Sequence, residues 1–558
     1  MEKTLENLNK RDTKYVLAMY DVRGKQEFIY RSSKIKEIIG GSFVIADIYK
    51  DYLYPVAEKH GKGIFHDSDK PFTQNAFIQH MSEGYIGEVV YEGGGNFFVL
   101  YKNRNVWREV NQQFTRSVFD AIGTLKVLST CIEIDGFDDY KGNVKTLMDE
   151  HKLNEAIDPP VMPTHVLPIA MRDRQTSMSI THRVMDEASN KELELSTENF
   201  RKRVKFNELR SNRTKDQYGN REYLQEGMLD KLVSKKGEDS MLAVIYIDGN
   251  GMGAKVERVT GGLTKYDDAV GALRGFSKAI NEEYVKKPIE KIGEYLNKDG
   301  SRRSRLVVGA GDEMTIICNA HDAIGIVRTY FKAQAEQGNQ NTSCAGIAVF
   351  HSHAPFADAY RFAEACCESG KKRMKKMGIE NARLLDFHMI QSGMSVSLET
   401  TRRYEAGDII TKPWYIFPNE LSDEDGVTYD IDGTDGMINK VVEYLGSMSR
   451  SNIKELADHA LAGEMELMRE LMRIEAHRRR KDAHGRGDNP DDGITTYQKL
   501  ENEIESITGW ERCKTERMLR GMIYDVVLGW DLWFADDYKR MFPNSKRAEG
   551  NAENEENT

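Results

Sequence analysis

Cysteine is scarce in this sequence, and no two cysteines are spaced for metal binding. The six cysteines are scattered over 558 residues without a C-x-x-C pair, which argues against a zinc ribbon and makes a disulfide framework unnecessary. No apolar run approaches the roughly 18–20 residues that a membrane-spanning helix needs. The first residues, MEKTLENLNKRDTK, are too charged for a signal peptide. These absences predict a cytoplasmic protein that does not associate with a membrane.

An excess of positive charge is also lacking. Lys and Arg number 79 against 89 Asp and Glu, giving a formal net charge of −10. This balance argues against nucleic-acid binding over the whole surface, although it is compatible with local basic grooves. The 5 Trp, 25 Tyr and 21 Phe supply large core anchors, which excludes disorder throughout. At about 150 residues per domain, the length predicts three or four domains.

One order of elements occurs twice along the chain, which indicates an internal duplication. Each copy has an apolar strand, a D-x-[RN]-G turn, helical sequence and a hairpin around a Gly-rich tip. The first copy comprises Tyr15–Tyr20, Asp21–Gly24, and the hairpin strands Gly87–Glu92 and Phe97–Tyr101 around Gly93–Asn96. The second comprises Met241–Ile247, Asp248–Gly251, and the hairpin strands Ser304–Val308 and Glu313–Cys318 around Gly309–Asp312.

Three acids of the second copy carry the strongest chemical signal. Asp248 ends a strand, and Asp312 and Glu313 lie at the hairpin tip, so we expect three carboxylates at one sheet edge. Mg²⁺ takes one or two carboxylates together with substrate phosphates and water, and phosphoryl transfer uses such ions. Gly and Asp also form ordinary turns, but the strand acid and the duplication favour a phosphate and metal site.

The glycines beside these acids have a role of their own. Gly309 and Gly311 have no side chain that would block phosphates from the backbone. Gly249, Asn250 and Gly251 make a tight turn into a helix, whose N-terminal N–H groups favour phosphate.

These motifs resemble the large polymerase–cyclase subunit of type III CRISPR effector complexes. That family carries a strand ending in D-G-D-x-M-G and a G-G-D-D hairpin in its second palm domain. The matching residues here are Asp248–Gly253 and Gly309–Glu313, followed by Ser343–His351 and Ala363-Glu364. The first palm matches through Asp21–Ile29, Ile39–Ser42 and Gly93–Asn96. The similarity covers residues 15 to about 380.

The resemblance implies an α+β fold with two ferredoxin-like palm domains, a helical middle region and a helical C-terminal domain. The corresponding boundaries are a degenerate first palm at 1–145, an intervening domain at 146–240, a catalytic second palm at 241–395, a linker at 396–434, a helical domain at 435–542 and a disordered tail at 543–558.

The resemblance also assigns roles at the catalytic palm. Asp248 and Asp312, assisted by Glu313, are expected to be catalytic. Asp248, Asp312 and the backbone carbonyl of Gly249 would hold Mg²⁺ or Mn²⁺. Lys371 would contact the triphosphate of ATP, although a solvated basic helix end explains this lysine equally well. A second substrate would lie against the first palm at Gly41, Ser42, Gly94, Gly95 and Asn96.

Departures from the family pattern modify these expectations. Ala310 replaces a Gly, Glu313 replaces an Asp, and Asn250 replaces an acid that some members carry. Asn96 and Phe97 stand in place of the hairpin acids of the first palm, which would therefore bind a nucleotide without metal chemistry. Many members begin with an HD nuclease domain; here the first palm begins near residue 15, so we do not predict DNA cleavage.

The leading hypothesis is a nucleotidyltransferase that makes a second messenger from ATP and releases pyrophosphate. The product would be a cyclic oligoadenylate or adenylated S-adenosylmethionine, and guide and target RNA would be reached through other subunits of the complex. One alternative is an RNA-binding subunit with inert palms, gripping RNA through the basic stretches Arg201–Lys205, Lys371–Lys376 and Arg478–Lys481. A free-standing palm-domain cyclase is the other alternative.

Overall fold

A five-stranded sheet contains the strand with Asp21, which lies between two other strands. The structure is a computed structural model that describes residues 14–32, 34–67, 70–93, 96–157, 169–186, 190–211, 232, 240–297, 304–337, 341–390, 397–417, 424–483 and 496–543. The sheet has the order β2-β3-β4-β1-β5, with β1 antiparallel to both β4 and β5. Its elements are β1 (Tyr15–Arg23), α1 (Lys25–Tyr30), α2 (Ile35–Ala46), a π-helical segment (Tyr49–Leu53), α3 (Tyr54–Ala57), β2 (Ile64–Phe65), α4 (Gln74–Ser82), β3 (Gly87–Gly93), β4 (Asn96–Tyr101), α5 (Arg104–Ile122) and β5 (Lys126–Ile134).

The region between the two large sheets combines helices with a small sheet. It contains α6 (Tyr140–Ile157), the antiparallel pair β6 (His182–Asp186) and β7 (Lys191–Leu195), and α7 (Thr197–Ser211). The described part of this region is therefore not purely helical, in contrast to the sequence-based prediction. Helix α7 packs closely on α2, because an added Cβ on Gly40 would overlap the backbone carbonyl of Lys202.

A seven-stranded sheet contains the strand with Asp248 near its end. Its order is β14-β13-β12-β11-β8-β10-β9, with β8 antiparallel to β10 and β11. Its elements are β8 (Met241–Gly249), α8 (Met252–Thr260), α9 (Tyr266–Ile280), a π-helical segment (Asn281–Lys286), α10 (Lys287–Asn297), β9 (Ser304–Ala310), β10 (Glu313–Asn319), α11 (Ala323–Ala335), β11 (Ser343–His351), α12 (Phe356–Met377), β12 (Leu384–Met389), α13 (Leu398–Ala406), β13 (Trp414–Phe417) and β14 (Thr428–Asp430).

The segment 396–434 is not a linker, because two of its strands extend this sheet. β13 pairs with β12 and β14 pairs with β13. Trp414, Tyr415 and Tyr429 are buried there. Burial of these aromatic residues holds β13 and β14 on the sheet, and only the cross-strand pairing with β12 reveals it.

Helices follow to the end of the described chain and cover one face of the seven-stranded sheet. They are α14 (Met437–Gly446), α15 (Arg450–Ala462), α16 (Glu464–Ala483), α17 (Thr496–Thr508), α18 (Arg512–Gly529), a π-helical segment (Trp530–Phe534) and α19 (Ala535–Met541). Their apolar residues belong to the same core as Ala243, Ile245 and Ile247 of β8. Residues 544–558 of the expected disordered tail lie outside the described residues. No helix within the described ranges is long and apolar enough to cross a membrane.

The two central strands are buried on both faces. Val16, Ala18 and Tyr20 of β1 share one core with Leu242, Val244 and Tyr246 of β8. The alternate residues face different partners: Leu17 and Met19 belong to a core that includes residues of α9, whereas Ala243 and Ile245 belong to the core that includes α11 and the C-terminal helices. Because strand side chains alternate between faces, each sheet contributes one face to the shared core.

The same turn follows both central strands. Gly24 has φ 63° and is the N-cap of α1, and Gly251 has φ 65° and is the N-cap of α8. Glycine adopts this left-handed conformation without the steric cost of a Cβ. The third residue after Asp21 and the third after Asp248 therefore start their helices in the same way, which supports the duplication at the level of backbone geometry.

Replacing Gly40 should destabilise the protein through the contact between α2 and α7. Gly40→Ala forces the two helices apart, and overpacking of this kind costs about 1–3 kcal/mol, so we expect a lower Tm. Gly271→Ala is the matched control, since Gly271 lies in α9 and an added Cβ there meets no atom within 4 Å. That change should leave the Tm unchanged or raise it. Equal melting temperatures for the two variants would refute the close helix contact.

Candidate functional site

The end of β8 and the tip of the β9–β10 hairpin place three acids together. Glu313 is directly opposite Asp248 on β8 and opposite Ala310 on β9, so the tip consists of Gly311 and Asp312. Directly opposed residues of an antiparallel pair have neighbouring side chains on one face. The carboxylates of Asp248 and Glu313 therefore lie side by side at the sheet edge, as the sequence predicted.

Asp312 closes over the end of β8. The backbone N–H of Gly249 donates to the carbonyl oxygen of Asp312 at 3.2 Å. A Cβ on Gly249 would lie 2.8 Å from Cβ and 2.9 Å from Oδ2 of Asp312, so this position requires glycine. The carboxylate of Asp248 is close enough to act on the carboxyl group of Asp312. The two acids predicted as metal ligands are thus neighbours.

Burial and nearby negative charge make the carboxyl groups of Asp312 and Glu313 weak acids by raising their pKa values. Burial, followed by the charge of Asp248, raises the pKa of Asp312 to about 6. Burial likewise raises the pKa of Glu313 to about 7, and the charges of Asp248, Asp312 and Glu364 act in the same direction. Clustered carboxylates are stabilised by a cation, and Lys371 supplies one positive charge by forming an ion pair with Asp248.

Lys371 lies at the site, as the resemblance implied. Burial opposes its charged form, but the Asp248 carboxylate more than compensates, so the pKa of Lys371 is raised. Its contact with Asp248 reaches from α12 to β8, and both side chains are a quarter exposed. This favours a role at the site over a solvated helix end.

Lys255 is a second cation at the site, and the sequence analysis missed it. It lies on α8 and donates to the hydroxyl of Tyr284 at 3.1 Å and to Oδ1 of Asn341 at 3.0 Å. Burial lowers the pKa of Lys255 to about 8, while the charge of Asp312 acts in the opposite direction. No local pattern marks this lysine, because its partners come from distant parts of the chain.

Open space surrounds two of the predicted glycines. Gly251 and Gly311 both have φ 65°, and an added Cβ at either position would meet no atom within 4 Å. The N-terminus of α8 begins at Gly251, and helix N-termini attract phosphate. Gly309 lies on β9, opposite Met314. The glycine positions are therefore compatible with close approach of a phosphate group.

The side chain of Asn250 lies inside the protein, which corrects its predicted role in nucleotide binding. Its side chain is buried, and its Nδ2 donates to Oγ1 of Thr342 at 3.0 Å and to the carbonyl oxygen of Ala382 at 2.8 Å. Its Oδ1 accepts from the thiol of Cys344. Both ends of the amide are thus used to fix the turn to β11 and to the start of β12.

The donor set fits a divalent cation that also binds phosphates. Over the described ranges, no group of three or more His, Cys, Asp or Glu side chains is spaced to enclose a metal ion. Mg²⁺ bound to a nucleotide needs only one or two protein carboxylates. Asp248 and Asp312 form such a pair. The carbonyl of Gly249, the residue after Asp248, is the backbone ligand that the resemblance implies.

At the equivalent edge of the first sheet, basic side chains surround the carboxylate of Asp21. Asp21 forms ion pairs with Arg23 at 3.2 Å and Lys25 at 3.5 Å, and His151 Nε2 lies 3.8 Å from its carboxylate. Asn96 is directly opposite Asp21 on the neighbouring strand. This edge has one strand-end acid and nearby cations, instead of a cluster of acids.

The strand register corrects the alignment of the two hairpins by one residue. Asn96 pairs with Asp21 as Glu313 pairs with Asp248, so Asn96 corresponds to Glu313 and not to Asp312. Phe97 is therefore not in the position of a hairpin acid. It is buried and stacks on Tyr49 with ring centroids 4.2 Å apart. Gly95 takes the place of Asp312 in the chain; Gly94 and Gly95 lie outside the described residues.

Gly41 and Ser42 belong to the middle of α2, where packing explains the glycine. Gly41 is buried, and an added Cβ would lie 3.2 Å from Cε of Lys202 on α7. Ser42 is half-buried. Gly41 therefore serves contact between two helices, which differs from its predicted role at the acceptor nucleotide.

The basic run Arg201–Lys205 does not form an open surface for RNA. It lies on α7, and its lysines at 202 and 205 are buried. Its ion pairs join Lys202 to Glu198, Arg203 to Glu37, and Lys205 to Asp47 and Asp51. Since α2 and the adjoining segment supply most of these acids, the run attaches α7 to the first sheet and its helices.

Comparison with known proteins gives a structural likeness without a sequence match. No protein-family model and no curated protein match the chain. Its structural neighbours include Csm1 structures of Csm1–Csm4 cassettes. A cassette in complex with AMPPNP is 12% identical with a TM-score of 0.40, covering 92% of this chain and 70% of that chain. A cassette with pppApA is 12% identical with a TM-score of 0.38, covering 69% and 55%.

The Csm1–Csm4 subcomplex of the type III-A CRISPR-Csm interference complex is a further neighbour. It is 13% identical with a TM-score of 0.37, covering 70% of this chain and 56% of that chain. The chain thus spans little more than half the length of several of these neighbours.

Glu313→Gln should change how stability depends on pH in EDTA. Because the folded-state pKa of Glu313 is raised to about 7, its favourable contribution is present below pH 4.5 and is lost as the pH rises through 7. The variant lacks this loss, so it should be more stable than the wild type at pH 8 by about 1–3 kcal/mol and nearly equal to it at pH 4.5. Thermal melts at both pH values test this, with the exposed Glu290→Gln on α10 as control. A stability difference that does not vary with pH would contradict the prediction.

Proposed function

We propose that this protein is a nucleotidyltransferase that joins ATP into a nucleotide second messenger and releases pyrophosphate. The observation that carries the proposal is the grouping of Asp248, Asp312 and Glu313 at the end of β8, beside Lys371. In this proposal the two large sheets are two palm domains, the second catalytic and the first an acceptor site. The protein would act as the large subunit of an RNA-guided type III complex.

Different residues of the second sheet and its helices would bind the metal ion and the phosphates of the donor nucleotide. Asp248 and Asp312 would hold Mg²⁺ or Mn²⁺, which neutralises phosphate charge and polarises the α-phosphate when bound. Lys371 and the N-terminus of α8 would bind the remaining phosphate oxygens. Glu313 lies next to the pair, and a bound cation would favour its charged form. The open glycine turns at Gly251 and Gly311 let the phosphates reach the backbone.

The first sheet would present the attacking hydroxyl. Its strand-end Asp21 is balanced by Arg23 and Lys25, so a metal ion has little reason to bind there. The hydroxyl oxygen attacks the α-phosphorus, the bond to the bridging oxygen breaks, pyrophosphate leaves with the electron pair, and the hydroxyl proton passes to water. An acceptor adenosine gives an oligoadenylate, and S-adenosylmethionine gives its adenylated form.

The alternative of an inert RNA-binding subunit has less support. Of its three basic stretches, Arg201–Lys205 is ion-paired internally, and Lys371 is bound to Asp248. An inert protein would also keep a repelling pair of acids without use. The free-standing cyclase is disfavoured because such enzymes pair two single-palm chains, whereas both sheets are present here in one chain.

Asp248→Asn and Asp312→Asn should each abolish synthesis, because each removes one charge of the metal-binding pair. We expect at least about a 100-fold loss of product, measured by mass spectrometry after incubation with ATP and Mg²⁺, with and without S-adenosylmethionine and target RNA. Mg²⁺-dependent binding of a nonhydrolysable ATP analogue should fall in parallel.

Asp21→Asn is the matched control, since it removes the equivalent strand-end acid of the first sheet. It should keep Mg²⁺-dependent binding of the ATP analogue within about threefold. Normal turnover of either second-sheet variant would refute the role of the metal-binding pair, and loss of analogue binding only in Asp21→Asn would reverse the assignment of the two sheets.

A further inference from the structure

The two strand-end acids are paired with cations from different parts of the chain. Asp21 forms ion pairs with Arg23 at 3.2 Å and with Lys25 at 3.5 Å, which follow it by two and four residues in its own turn. An asparagine and a methionine stand at the same two places after Asp248. The duplicated turn therefore carries its own cations in the first copy and none in the second.

A side chain from another element pairs with the acid of the second copy. Lys371 of α12 forms an ion pair with Asp248 of β8, and the two residues are 123 positions apart in the sequence. In the part of the chain that the structure describes, Lys371 is the one basic side chain in ion-pair contact with Asp248. Both side chains are a quarter exposed. The cation that neutralises Asp248 thus comes from outside its turn.

The backbone of α12 is fixed at this point, whereas the ammonium group is not. An added Cβ on Gly370 would lie 3.1 Å from Sγ of Cys344 and 3.2 Å from Cβ of Leu384. Helix α12 therefore lies close against β11 and β12, and Cys344 is directly opposite Asp248 in the sheet. The ammonium of Lys371 is carried on a flexible four-carbon chain. It can leave the carboxylate without movement of the helix.

This ion pair uses a carboxylate that is also proposed to bind a metal ion. An ammonium and a divalent cation at one carboxylate repel each other. A metal ion that enters alone would leave the ammonium of Lys371 without an anion, and an unpaired charge that is partly buried is costly. A nucleotide removes this cost, because its phosphate oxygens accept charge-assisted hydrogen bonds from the ammonium. Asp248 is then free to bind the metal ion.

We propose that Lys371 is an exchangeable counter-ion, which pairs with Asp248 in the absence of nucleotide and moves to the phosphates when nucleotide and metal ion bind together. This rests on the proposed function and adds a rule of binding to it. A divalent cation alone binds weakly, and the nucleotide strengthens its binding by drawing Lys371 away from Asp248. The first copy lacks this exchange, because the cations paired with Asp21 belong to its own turn.

Replacing Lys371 with methionine should change two affinities in opposite directions. Mn²⁺ is titrated into the whole protein without nucleotide, and free Mn²⁺ is followed by electron paramagnetic resonance. Binding that is lost in Asp248→Asn is counted as binding at this site. We expect Lys371→Met to bind Mn²⁺ at least about fivefold more tightly than the wild type. Its Kd for AMPPNP at saturating Mn²⁺ should rise at least about tenfold, because a charged hydrogen bond to phosphate is lost.

Three further variants control for charge, position and folding. Lys372→Met changes the exposed neighbour on the same helix and should match the wild type in both affinities. Lys371→Arg keeps the positive charge, so its affinity for Mn²⁺ alone should stay low and AMPPNP binding should be partly retained. Lys371→Gln is neutral and should reproduce Lys371→Met, which keeps the test available if the methionine variant does not fold.

The outcomes distinguish this inference from the proposed function. Weaker AMPPNP binding in the neutral variants, with Mn²⁺ affinity unchanged or reduced, overturns the exchange and leaves the proposed function standing. Tighter Mn²⁺ binding with an unchanged Kd for AMPPNP overturns the move of Lys371 to the phosphates. Absence of any Asp248-dependent binding of Mn²⁺ and AMPPNP overturns the proposed function, and the exchange with it.

Discussion

The pairing of β8 with β10 is the constraint on which the candidate site depends. The register sets Asp248 opposite Glu313 and leaves Gly311 and Asp312 as the hairpin tip. The acids repel one another, and burial of the carboxyl groups of Asp312 and Glu313 opposes their ionisation. The register survives this repulsion because β8 has apolar residues on both faces, each packed into a different core. Packing energy from the two cores thus stabilises an edge that electrostatics alone would open.

The sequence was sufficient to predict the acids that meet, because strand periodicity and turn residues determine local geometry. Asp248, Asp312 and Glu313 lie together as predicted, and Lys371 joins them. The first hairpin was misaligned by one residue because both hairpins are rich in glycine. Only the cross-strand partner of Asp21 identifies Asn96, and not Phe97, as the counterpart of Glu313.

The residues that sequence analysis misjudged all depend on contacts distant in the chain. Asn250 lies inside a phosphate-binding pattern, but its amide bonds Thr342 and Ala382. Lys255 acquires its position from Tyr284 and Asn341. Likewise, the run Arg201–Lys205 is basic in sequence but neutralised in the structure. Local pattern indicates which residue types are present, whereas tertiary partners decide whether they face a ligand.

The core shared by β8 and the C-terminal helices has a mechanical consequence. The indole Nε1 of Trp533 donates to the carbonyl oxygen of Ala320, the residue after β10, at 2.7 Å, and Arg328 of α11 is ion-paired with Asp537 of α19 at 2.5 Å. The first bond attaches the far end of the strand that begins with Glu313, and the second attaches the helix that follows it. Because Glu313 begins the same strand, a movement of the last helices would shift β10 and with it the acids at its other end.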